Sequence, residues 1–89
     1  MTMVLIELLT SPTCVHCEPA IVRVNRVIEE LRGRMPNLRV RVIDVVNHPE
    51  IRLKYDIMST PAIAIDGKLI FVGMPKEDDL RKALERLRK

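Results

Sequence analysis

Residues 3–9 form an apolar run broken only by Glu7, and the run stops abruptly at the turn residues Ser11-Pro12-Thr13. A strand without a polar face has to be covered on both sides. That places it in the middle of a sheet with helices on each face. The fold class that meets this demand is α/β, and the rest of the chain supplies the cover in order. Residues 15–34 carry helical period: Ile21, Val24, Ile28 and Leu31 recur at steps of three and four, with Val27 beside them. Pro19 fits only near the start of that helix, where backbone N–H groups have no intrahelical partner, and Gly33 and Pro36 close it.

Residues 38–46 read as a second strand. Arg39 and Arg41 alternate with Leu38, Val40 and Val42, which points to a sheet edge with one face partly wet. Asn47-His48-Pro49-Glu50 opens a short helix reaching Lys54 or Tyr55, with Asn47 as cap and Glu50 completing a capping box. Ala62 to Ile65 and Lys68 to Val72 flank Asp66-Gly67, the pair that most favours a two-residue hairpin. Pro75 opens a last helix with Leu80, Ala83, Leu84 and Leu87 on one face. Acids Glu77, Asp78 and Asp79 stand at its start and bases Arg86, Arg88 and Lys89 at its end, as the helix dipole favours. The order is βαβαββα: a four-stranded mixed sheet in a three-layer α/β/α arrangement, as one domain over residues 1–89.

Composition removes several function classes. The net charge of +3 is mild for 89 residues. With one Phe, one Tyr and no Trp there are no aromatic stackers to pair with a basic face, so nucleic-acid binding is not expected. No apolar stretch approaches the roughly 20 residues that span a bilayer. The start Met1-Thr2-Met3-Val4 has no basic segment ahead of its short apolar run, so a cytoplasmic location is expected. Two cysteines are too few for a disulfide scaffold.

Those cysteines, Cys14 and Cys17, flank Val15-His16 at the junction of the first strand and first helix. A thiolate is the nucleophile of disulfide exchange, and a free thiol with pKa near ~8.5 is mostly protonated at neutral pH. The unpaired N–H groups and the dipole at a helix start stabilise the anion, and His16, when protonated, adds positive charge. Cys14, ahead of the helix, is expected to be the attacking thiol. Cys17, inside the first turn, is expected to resolve the mixed disulfide. The alternative is a metal-binding or metal-carrier module using Cys14, Cys17 and His16, with His48 as a distant fourth ligand. It lacks a second ligand pair for a closed tetrahedral site. No metal and no cofactor are expected.

The Cys-x-x-Cys after the first strand, the βαβαββα order and Thr60-Pro61 before the third strand together resemble the thioredoxin-like superfamily over nearly the whole chain. The approach Thr10-Ser11-Pro12-Thr13-Cys14 is similar to that of small thioredoxin- or glutaredoxin-like proteins common in archaea. The resemblance implies a thiol–disulfide oxidoreductase acting on protein disulfides, with a reductase or small thiol as electron donor, working as a monomer. It also implies a cis Pro61 facing the cysteines, with the Thr60 backbone pairing with substrate. Val15, Met58 and Met74 would give that groove an apolar rim. Thioredoxins proper carry Trp-Cys-Gly-Pro-Cys, whereas Thr13 precedes Cys14 here. Glutaredoxins hold glutathione with a Gly-Gly and following acids, whereas Gly73 here is followed by Met74. His as the second intervening residue resembles the more oxidising members, which implies a potential within roughly −230 to −120 mV. The family's thioredoxins keep an acid six residues before the first cysteine, where Leu8 stands here. Glu7 is one residue off that register and is expected to be a structural acid paired with Arg39 or Arg41.

Overall fold

The computed structural model describes residues 3–87. The elements are β1 (Val4–Thr10), α1 (Cys17–Leu31), β2 (Leu38–Asp44), α2 (Pro49–Tyr55), β3 (Ala62–Ile65), β4 (Lys68–Val72) and α3 (Glu77–Glu85). Their order is the expected βαβαββα. The sheet runs β2-β1-β3-β4, with β1 parallel to β2 and antiparallel to β3, and β3 antiparallel to β4. The apolar strand β1 is therefore central and the arginine-bearing β2 is an edge.

Alternate residues of β1 face opposite layers, because side chains on a strand have a period of two. Val4, Ile6 and Leu8 enter one core with Val24, Val27, Ile28 and Leu31 of α1 and Leu80 and Leu84 of α3. Leu9 enters the other, with Ile43, Val45, Tyr55, Ile57, Ala62 and Ala64. Helices α1 and α3 thus cover one face and the short α2 the other.

Glu7 shares the parity of Leu9 and is 5% exposed. Its partner is neither arginine: Tyr55 Oη donates to Glu7 Oε1 at 2.6 Å. Arg41 is the register neighbour of Glu7 on β2, but Arg39 and Arg41 lie at an exposed edge, where water solvates a guanidinium better than a buried carboxylate does. Burial first, then the hydrogen bond and charge of Glu7, push the Tyr55 phenol up to about 12.

The structure moves several expected ends. Helix α1 starts at Cys17 rather than residue 15 and closes at Leu31, whose carbonyl accepts from both Arg34 and Met35. Strand β2 stops at Asp44, because the Asp44 carboxylate captures the Val46 N–H at 2.8 Å and turns the chain. Val42 is 52% exposed at the edge, whereas Ile43 is buried. The α2 cap is His48, not Asn47, and no side chain caps it. Asn47 bonds Asp44, and Glu50 pairs with the His48 ring instead of closing a capping box. Helix α3 begins at Glu77, past Pro75, and Leu87 falls beyond its end, 42% exposed. Arg88 and Lys89, expected in its last turn, and Met1 and Thr2 lie outside the described residues.

The charged face of α1 and the turn after it are joined to α3 by ion pairs. Arg26 pairs with Glu77, Arg34 with Glu85, and Arg81 forks onto Glu30 through two nitrogens. Arg23 adds a bond to the Pro75 carbonyl at 2.8 Å. Exposed pairs of this kind are worth under about 1 kcal/mol each, so they orient α3 on α1 more than they hold the fold together.

Candidate active site

The site is assembled at one end of the sheet. Leu9 pairs with Ala62, so the loop leaving β1 and the loop entering β3 are neighbours. The first of these carries the cysteines. Ser11 accepts from the Cys14 N–H at 3.2 Å to form a turn, Val15 and His16 bend the chain, and Cys17 is the first helical residue. His16 stands at the cap position with no side-chain cap bond, and the Ala20 N–H closes the first helical turn on its carbonyl.

Cys14 and Cys17 are joined as a disulfide with Cα atoms 5.5 Å apart. Cys17, at the start of α1, is 5% exposed, while Cys14 is half-buried at the surface. The two sulfurs of the bond thus differ in access, Cys14 being the more open. Val15 is 79% exposed beside them, and the His16 ring is exposed with no hydrogen bond among the described residues.

The second loop brings Thr60 and Pro61, whose peptide bond is cis. Pro61 is buried and its carbonyl accepts from the Gly73 N–H at 2.7 Å, tying the start of β3 to the end of β4. The hydroxyls of Ser11 and Thr60 lie 3.1 Å apart. That bond stitches the cysteine loop to the Thr60-Pro61 loop across 49 positions. Ser11 was legible in the sequence only as a turn residue; nothing in its neighbours signals the distant partner. Met58 and Met74 are both exposed, as an apolar rim requires.

The metal alternative gains no support from this arrangement. His48 is engaged with Glu50 at the start of α2. Among the described residues no group of three or more His, Cys, Asp or Glu side chains comes together in a way that could hold an ion. What the site can do is make and break the Cys14–Cys17 bond beside a short groove.

A family model described as a thioredoxin domain matches residues 4–85. A thioredoxin from Methanocaldococcus jannaschii is 39% identical over 87 residues, covering 97% of this chain and 98% of that one. A probable thioredoxin from Methanothermobacter thermautotrophicus is 38% identical over 79 residues, 89% of each. Among solved structures, a protein disulfide oxidoreductase from Aeropyrum pernix superposes with a TM-score of 0.80 at 32% identity. That match covers 97% of this chain and 38% of the Aeropyrum chain.

Proposed function

The chain belongs to the thioredoxin domain family, and from that premise we propose that Cys14 is its attacking thiol and Cys17 its resolving thiol. The class of activity is thiol–disulfide oxidoreduction. In the reducing direction, the Cys14 thiolate attacks one sulfur of a substrate disulfide, and the substrate S–S bond breaks as the Cys14–substrate bond forms. The departing substrate sulfur takes a proton. The Cys17 thiolate then attacks Cys14 Sγ, expels the second substrate sulfur as a thiolate that also takes a proton, and leaves the Cys14–Cys17 disulfide. Two electrons and two protons pass to the substrate, and a donor must return them.

The single observation that carries this reading is the unequal access of the two sulfurs in one bond, with Cys17 5% exposed and Cys14 at the surface. The N–H groups at the start of α1 stabilise thiolate character there, and His16 adds positive charge when protonated. Thr60 and Pro61, with Val15, form the surface on which a protein disulfide would lie. The electron donor would be a reductase or small thiol, and the working form a monomer. Among the described residues no helix is long and apolar enough to cross a membrane. We place the protein in the cytoplasm, where a Cys-x-x-Cys pair works as a catalyst rather than a staple.

Trapping tests the assignment of roles. Cys17→Ser is expected to accumulate mixed disulfides with substrate, resolved as added mass under non-reducing conditions, and Cys14→Ser is not. Equal trapping by both variants would overturn it.

A further inference from the structure

On the β2–α2 side of the disulfide lies an open groove of about 240 Å³. Thr13, immediately before Cys14, and Thr60, immediately before Pro61, both line it. The groove is therefore bordered by both loops that frame the disulfide. Its floor is apolar, with Val45 and Ile57 each 5% exposed, and Met58 on its rim is 87% exposed. Thr13 is too small to fill the space.

One lining residue is charged: Arg52, on the exposed side of α2. Its backbone is committed to the helix, since its carbonyl accepts from the Ile57 N–H at 3.1 Å. Its guanidinium has no carboxylate partner among the described residues. Of the acids near it in sequence, Asp44 holds the Val46 N–H and the Asn47 amide, Glu50 holds His48, and Asp56, four residues on at the end of α2, is exposed and makes no ion pair with it. A cation in no ion pair, lining an apolar groove together with Thr13, Ser59 and Thr60, is complementary to an anion. Arginine's planar fork in particular fits a carboxylate.

We propose that this groove receives the part of a disulfide substrate flanking the attacked sulfur, and that Arg52 selects substrates bearing a carboxylate there. The inference rests on the thiol–disulfide exchange proposed above and names the substrate class for it. The carboxylate belongs either to an acidic side chain of a protein segment or to a small acidic thiol.

The test compares matched disulfides that differ only in charge, at low ionic strength, with dithiothreitol returning electrons. One pair is 3,3′-dithiodipropionate and its neutral diamide. The other is a disulfide-linked peptide with Glu or Gln beside the cysteine. The wild-type protein is expected to prefer the acidic member in kcat/KM by about three- to tenfold, the range of a charge-assisted bond partly screened by water. In Arg52→Gln that ratio falls to one, in Arg52→Glu below one, and Arg52→Lys keeps part of it. A preference confined to the peptides assigns the carboxylate to protein segments; one seen with the propionate assigns it to a small thiol. A ratio of one in the wild type, or a preference that survives Arg52→Gln, overturns the proposal. Failure to reduce the neutral substrates as well would instead overturn the exchange reading beneath it.

Discussion

The hydrogen bond from Tyr55 to Glu7 is the clearest case of a single residue's chemistry settling local structure. A carboxylate 5% exposed in the middle of β1 needs a donor, and a phenol from the covering helix supplies it. Replacing Tyr55 by Phe keeps the ring but leaves the acid unsatisfied, which should cost about 1–3 kcal/mol in urea denaturation. The bond also has a pH signature. The Tyr55 phenol is held up to about 12 in the folded state, against about 10 in the unfolded chain. Its contribution to stability is therefore complete below pH 10 and lost as pH rises from about 10 through about 12. Thermal melts across that window should show the wild type losing stability faster than Tyr55→Phe; parallel curves would contradict the account. The parity of Glu7 was legible in the sequence, because strand period alone puts it on the face opposite Leu8. Its partner was not, because nothing local to residue 7 indicates which donor arrives from 48 positions away.

At the scale of elements, the hairpin was read to the residue and the helix ends were not. Asp66 and Gly67 have φ of 50° and 83°, the pair of positive values that a two-residue turn matching strand twist requires. The Asp66 side chain also accepts from the Leu5 N–H at 2.9 Å, fastening the hairpin tip to the start of β1. A Cβ at Gly67 would meet no neighbour within 4 Å, so the cost of Gly67→Ala is backbone strain alone. It should amount to about 1–2 kcal/mol by denaturant titration, with the redox behaviour of the distant cysteines unchanged. A turn of this kind is specified by its own two residues. The ends of α1, α2 and α3 depend on which of several nearby side chains wins a backbone group. Asp44 taking both the Val46 N–H and the Asn47 amide, which draws Asn47 away from the cap position expected of it, is such a contest.

For the whole molecule, what was legible follows from how strongly each feature is constrained. An apolar strand had to be central, an alternating one had to be an edge, and a Cys-x-x-Cys at the junction had to sit at the sheet's open end. These three facts order β2-β1-β3-β4 and bring Cys14, Cys17, Thr60 and Pro61 to one surface. The groove beside Arg52 was not legible. It is a gap between three loops, and a gap leaves no pattern in any one of them.

The central claim is that Cys14 and Cys17 form one reversible two-electron couple. Equilibrating the protein in graded thiol–disulfide buffers and counting alkylated thiols by mass tests it directly. The account predicts a single transition in which both thiols appear together, at a potential between roughly −230 and −120 mV. Thiols that titrate independently, or a transition below roughly −300 mV where inert structural disulfides lie, would contradict it.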